Sequence, residues 1–419
     1  MTEARILIFY FSLIIFPKAD RFSLCHDVEI STSLLNPWTT LASTVALAGL
    51  IFYAFSPKKN NPLFSFAVLF FFLNHLVEST VIPLELIYEH RNYMPTLFLF
   101  LPVSAGISHA LDYYQNKNTC IYRLIIILCA AVIGWISMET YKRNGVWISE
   151  KSLWENSIQN APHLARPYHN LAHDHYEKIG DYDKALQLYQ KAAGLKSVRM
   201  DEHNASFNNI GKIYYIKKEY DKALAYYSKA LDINPDDETV LYNLTLVLME
   251  TEKWEEALEE TDRLLTKSDS SIYRSMKGIV LMRMNRASEA VLYFEQVLKI
   301  SPDDGRTTFY LGLALSLSGE YEKADAVLNR AKKLSIDKIA VYLYLLENCR
   351  KKNDHNCFDR YADAMLLEFS LDEVSEKTDM ISHNPLMAPL SQGLAEAIRE
   401  KAEHQESTLQ NPLDETFGL

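Results

Sequence analysis

The chain has 419 residues, 48% of them apolar, and a formal net charge of -11 at pH 7. It is too long for one ordinary core, and with no long basic run it lacks the clustered Lys and Arg that phosphate binding needs, so nucleic acid is not an expected partner. Five cysteines, Cys25, Cys120, Cys129, Cys349 and Cys357, form no C-x-x-C pair, so no metal framework and no cofactor is expected.

The first third is apolar. Residues 6–16, 39–55, 63–84, 96–112 and 121–141 are stretches near the ~20 residues that cross a hydrocarbon core, which predicts four to five transmembrane helices within residues 1–143. The first is too short for a full crossing and reads as a short or tilted span. Arg5 before it fits a signal peptide, but small residues at a cleavage site are missing, and Leu24 spoils Ser23-Leu24-Cys25 as a lipoprotein site. Lys58, Lys59, Lys117 and Arg123 place their loops in the cytoplasm, so everything after Tyr141 would lie outside, periplasmic in a bacterial inner-membrane protein. Lys142 and Arg143 depart from that rule.

Residues 74–95 set Asn74, His75, Glu78, Glu85, Glu89, His90 and Arg91 among apolar neighbours. Ionisable groups at membrane depth are costly. On a helix Asn74 and Glu78 share a face that would point into a bundle, and His90 with Arg91 would hold an anionic lipid head group. Alternatively Pro83 ends the span and the Glu-His-Arg cluster is a solvated loop. Neither reading supplies a nucleophile with its base, so no catalytic residue is named.

From about residue 150 the pattern changes to a period near 34 residues, the length of one helix-turn-helix unit. Small residues recur at Ala185, Ala223, Ala257, Ala290 and Ala324, and at Ala172, Gly211, Thr245, Gly278 and Gly312, each marking a crowded helix crossing. Asn234-Pro235 and Ser301-Pro302 end second helices. These residues resemble the tetratricopeptide repeat family. The expected fold class is all-α, transmembrane helices followed by an α-solenoid. Its divisions are a partial unit at 150–162, units at 165–198, 204–237, 238–270, 271–304 and 305–337, and a degenerate unit at 338–366. Capping helices come next at 367–404, Leu394 and Ile398 among them, and a disordered tail at 405–419.

Stacked units offer a groove lined by the first helix of each pair, which takes extended or helical peptides. Asn170, Asn209 and Asn243 fall at the sixth position of consecutive units, where an amide can donate to and accept from a peptide backbone. They resemble the asparagine ladder of peptide-binding arrays, although asparagine is also ordinary repeat sequence there, and Met276 and Tyr310 replace it later. His169 and His173 lie four apart on one helix face, but without a third ligand they read as a wet helix surface, with Asp174 pointing elsewhere. Cys349 and Cys357 would sit on neighbouring antiparallel helices. Two small buried thiols are the favoured reading, with a disulfide open to them in an oxidising compartment.

The order of features, ESTVIPLELIYEHRNYMP at 78–95 and then SLWENSIQNAP at 152–162 and repeats, resembles bacterial relatives of the transmembrane-and-TPR protein O-mannosyltransferase family. The resemblance implies a glycosyltransferase using a polyprenyl-phosphate sugar, extracytoplasmic repeats that engage the acceptor protein, and Glu89, His90 and Arg91 on the active-site side of the membrane. Family members begin with several more spans and carry their catalytic acid in the first outer loop, so Met1 would start midway through such a protein, and Asp27 is not named catalytic. The sequence therefore favours a membrane-anchored scaffold with protein or peptide partners and membrane lipid over an enzyme. The alternative is a partial or partner-dependent transferase.

Overall fold

The computed structural model describes residues 1–56, 62–78, 87, 89–195, 200–334 and 337–410. Among them every regular element is helical, and the chain divides into two units, Met1–Asn209 and Ile210–Leu419.

The first unit opens with α1 (Thr2–Ile15), α2 (Thr39–Phe55), α3 (Pro62–Glu78), the short α4 (Tyr93–Thr96), α5 (Leu101–Gln115) and α6 (Thr119–Val146). In α1 the residues Ile6, Tyr10 and Leu13, spaced three and four apart, make one stripe, buried with Leu47 of α2 and Phe71 of α3. The stretch expected as a short or tilted span is thus a helix with one stripe packed on α2 and α3. Two helices among the described residues are long and apolar enough to cross a membrane: Tyr93–Gln115, which joins α4 and α5, and Thr119–Val146. α2 and α3 are apolar but shorter, so among the described residues two of the four to five expected spans reach that length. α6 is also longer than expected, its helix running past Lys142 and Arg143 to Val146, and none of its most apolar stretch is buried.

Residues 79–86 and 88, with Pro83 and Glu85, lie outside the described residues, as do Lys58 and Lys59. Asn74 turns its amide onto the Phe70 carbonyl of its own helix at 2.8 Å. After α1 the chain returns to the far end of α6, where the Ala19 amide donates to Glu139 Oε2 at 2.7 Å. It then runs on to α7 (Glu150–Asn160), where Cys25 is buried with Trp154, Ala161 and Leu171.

The helix pairs come next as α8 (Ala165–Leu171) with α9 (Tyr182–Gly194), α10 (Met200–Ile216) with α11 (Tyr220–Ile233), α12 (Glu238–Glu250) with α13 (Trp254–Lys267), α14 (Ser271–Arg283) with α15 (Ala287–Ile300), α16 (Gly305–Leu317) with α17 (Tyr321–Lys333), and α18 (Lys338–Lys351) with α19 (His355–Leu366). All six pairs turn alike. A residue with positive φ stands two before each second helix: Gly180, Lys218, Glu252, Asn285, Gly319 and Asn353. The next amide then reaches back to a carbonyl five residues earlier, as in Asp181 to Tyr176 and Asp354 to Cys349. That closure satisfies carbonyls the helix end would otherwise orphan. First helices begin on matching caps: Asp237, Ser270, Asp304 and Asp337 each accept a backbone N–H two to three residues on.

Within each pair the chain crosses where one side is small. A Cβ added to Gly211 would stand 2.7 Å from the Tyr227 ring, and one on Gly278 would stand 2.6 Å from the Phe294 ring. Sixteen residues separate the partners, and the degenerate sixth pair keeps that spacing with the sizes exchanged, Leu346 on the first helix and Ala362 on the second, both buried. Small residues of the second helices, Ala185, Ala223, Ala257, Ala290 and Ala324, are fully buried, as Gly312 is buried against Leu328. In the sixth pair Cys349 and Cys357 form a disulfide with Cα atoms 5.6 Å apart, which corrects the reading of two separate thiols. The tight turn at Asn353 brings them level. α20 (Leu371–Ser382) and α21 (Leu394–Gln410) complete the described chain, α21 running past His404 where a disordered tail was expected; residues 411–419 lie outside the described residues.

Candidate functional site: the sixth position of each first helix

The side chains that face away from the crossing decide what a repeat can touch. Asn170 on α8, Asn209 on α10 and Asn243 on α12 are all half-buried. Asn209 donates through Nδ2 to the Tyr189 hydroxyl at 3.2 Å, so one of its two amide protons is already engaged. The same position in later repeats holds Met276, Tyr310 and Tyr344, all buried.

The first repeat departs from the others by one residue. From the small eighth residue to the positive-φ turn there are seven steps in every later pair, as from Gly211 to Lys218 or Gly312 to Gly319, but eight from Ala172 to Gly180. The extra residue is absorbed by a π-helical turn over Ala172–Glu177. Such a turn rotates the side chains that come after it. Asp174, expected to point elsewhere, accepts from Trp154 Nε1 at 2.9 Å and lies 2.9 Å from His173 Nδ1. The Tyr189 hydroxyl donates to Glu177 Oε2 at 2.8 Å.

His169 and His173 do share a face, their rings parallel with centroids 6.5 Å apart. Only His173 is wet. The His169 ring is half-buried, with Nδ1 3.0 Å from Ser206 Oγ and its centroid 5.1 Å from that of the Tyr189 ring in an edge arrangement, so the expectation of a wet surface is corrected. Burial, then the neighbouring His173, push its pKa down to about 4. A neutral imidazole sits there at pH 7. Among the described residues no group of three His, Cys, Asp or Glu could hold a metal ion. The one-residue difference in spacing was present in the sequence and was the signal that would have found this network.

His90 and Arg91, the pair expected at a lipid head group, fall in the 3-10 turn Glu89–Asn92, where Arg91 is half-buried and the His90 side chain lies outside the described residues.

These pairs define a class. Tetratricopeptide repeat models match residues 168–197, 205–237 and 275–338, so the chain carries tetratricopeptide repeats within an all-α fold. It is similar to a TPR repeat-containing protein of Methanocaldococcus jannaschii, 24% identical over 38% of this chain and 29% of that one. It is similar also to protein O-mannosyl-transferase TMTC1 of Homo sapiens, 26% identical over 44% of this chain and 18% of that one, and to protein O-mannosyl-transferase Tmtc3 of Drosophila melanogaster, 23% identical over 47% and 24%. The chain spans less than a third of the length of each of these relatives. Among solved structures, YrrB, described as a TPR protein with an unusual peptide-binding site, is 23% identical over 45% of this chain and 95% of its own, with a TM-score of 0.41. MamA is 19% identical over 41% and 91%, at 0.36.

Proposed function

We propose that the chain is a membrane-anchored scaffold whose tetratricopeptide repeats hold an extended peptide of a partner protein, with no catalytic step of its own. The observation that carries this reading is the recurrence of a half-buried asparagine, Asn170, Asn209 and Asn243, at one position of three consecutive first helices. Amides at such a position pair with a peptide backbone whatever its side chains. The repeat-packing residues Ala185, Gly211, Ala223, Ala257, Gly278, Ala290, Gly312 and Ala324 serve to hold those helices in register.

Anchoring falls to α5 and α6. An apolar helix with nothing covering it is stable in lipid and costly in water. The loop after α1 meets both the end of α6, through Ala19 and Glu139, and Trp154 of α7, which puts loop and first repeat together whichever side they face. One observation supports an extracytoplasmic array. The Cys349–Cys357 disulfide belongs in an oxidising compartment, in bacteria the periplasm.

The test is partner capture on the full-length chain in detergent, beside a variant with Asn170, Asn209 and Asn243 all changed to Ala. Partners retained by the first and lost by the second support the scaffold; partners held equally by both remove the asparagines from it. A second reading, a partner-dependent O-mannosyltransferase with His90 and Arg91 at the lipid phosphate, draws on the names of two relatives. Mannose transfer from a polyprenyl-phosphate donor, abolished by Arg91→Ala, would displace the scaffold reading.

A further inference from the structure

The connection between α20 and α21, residues 383–393 (HNPLMAPLSQG), carries Pro385 and Pro389, which bias Asn384 and Ala388 towards extended backbone. It has no helix or strand, only turns closed by the Met387 amide on the Asn384 carbonyl at 3.1 Å and by the Leu394 amide on the Ser391 carbonyl at 3.3 Å. Yet Ala388 is only 3% exposed, and Leu386, Met387 and Leu390 pack against the repeat core. Side chains of two first helices take hold of its backbone. Arg283, at the end of α14, donates through Nη1 to the Met387 carbonyl at 2.9 Å. The Tyr344 hydroxyl of α18 donates to the next carbonyl, that of Ala388. Glu347, one turn further along α18, accepts from the Ser391 hydroxyl at 2.6 Å and from its amide at 3.3 Å. Between α14 and α18 stands α16, whose Tyr310 is buried.

Tyr344 occupies in the sixth repeat the position that asparagine holds in the first three. Here that position does bind a main-chain carbonyl, and the main chain is the protein's own. The fit is incomplete, because Arg283 Nε and Arg350 Nη1 are buried with no described acceptor. Unmet buried donors of this kind weaken a bound segment relative to one that satisfies them.

We propose that the face formed by α14, α16 and α18 is a peptide site held in cis by residues 384–391, and that its partner in trans is an extended, proline-containing apolar segment of like chemistry that displaces them. This deepens the scaffold reading by naming the ligand class and a built-in competitor. Specificity comes from apolar packing of the Leu and Met side chains on the repeat core, affinity from carbonyls read by Arg283 and Tyr344, and prolines lower the ordering cost of an incoming segment. A tethered competitor acts at a local concentration of order millimolar, so it blocks micromolar ligands until displaced.

The experiment uses the full-length chain in detergent and a fluorescent peptide of sequence HNPLMAPLSQG, followed by anisotropy. In the opened variant residues 385–390 are replaced by alternating Gly and Ser at the same length. The opened variant should bind the peptide about 100-fold or more tightly than the wild type. Adding Tyr344→Phe to it should weaken binding about fivefold, the worth of one hydrogen bond. Equal affinity in opened and wild-type chains, or no effect of Tyr344→Phe together with Arg283→Ala, would overturn the proposal. So would loss of the repeats' helical signal on opening, since a segment needed for folding is not a displaceable ligand. Partner capture sensitive to Asn170, Asn209 and Asn243 would survive any of these failures, which separates this inference from the scaffold reading.

Discussion

The first three repeats and the last three share a packing code and differ in what they leave available. Gly211 against Tyr227 and Gly312 against Leu328 solve the same crossing, yet the sixth position of the first helix is a half-buried asparagine in one set and a buried Met276, Tyr310 or Tyr344 in the other. The crossing fixes only one stripe of each helix. The opposite stripe is free to vary, and variation there sets what a repeat binds. The first repeat adds a polar network through its π-helical turn, while the sixth adds a covalent bond and covers Tyr344 with residues 384–391.

The largest break in this comparison is expected at the disulfide. The sixth pair has no glycine at its crossing, and the Cys349–Cys357 link closes a loop of separation 8. Chain-entropy reasoning gives such a loop about 2.5 kcal/mol. Because stability in repeat arrays is largely a nearest-neighbour sum, the loss should be local. Reduction, or Cys349→Ser with Cys357→Ser, should lower the opening free energy of α18 and α19 amides in hydrogen exchange by about that amount and leave α8 and α9 unchanged. Uniform loosening of all repeats would contradict a locally held sixth pair.

At the other end of the array the sensitive coordinate is pH. His169 titrates near 4, lowered by burial and by His173, while Asp174 and Glu177 oppose the shift; an unfolded histidine titrates near 6.5. Protonation therefore favours the unfolded chain. The stability held by neutral His169 is complete above pH 6.5, declines as pH falls from 6.5 towards 4, and declines no further below that. Allowing for residual solvent, the loss is about 2 kcal/mol. His169→Gln should flatten that slope in urea midpoints measured between pH 4 and 7. An unchanged slope would assign the acid sensitivity to the carboxylates around it instead.

Most of the repeat half was legible because its signals are local and periodic: Gly211, Gly278 and Gly312 mark crossings, and Asn234-Pro235 and Ser301-Pro302 end second helices. Tyr344 was not legible as a carbonyl donor, since its acceptor lies 44 residues on in a segment with no period. The state of Cys349 and Cys357 was not legible, because two cysteines on neighbouring helices fit a disulfide or two buried thiols equally well in sequence. In the apolar half composition does not separate helices covered by other helices from uncovered ones: Ile6 in α1 and Ile127 in α6 read alike, but one is 1% exposed and the other 63%.

The smallest effect is expected at the turns. Six turns have the same left-handed residue, but the first and fifth repeats place glycine there, while the second and third place Lys218 and Glu252, at φ 59° and 58°. That region costs an L-residue roughly 1–2 kcal/mol, and glycine gives part of the gain back through the greater freedom of its unfolded chain. Lys218→Gly and Glu252→Gly should each stabilise the array by about 0.5–1 kcal/mol, read as a higher urea midpoint at unchanged slope. Asn285→Gly and Asn353→Gly should give less, because asparagine tolerates this conformation better than lysine or glutamate. Equal gains at all four positions would mean that the gain does not come from the side chain's own intolerance of the left-handed region.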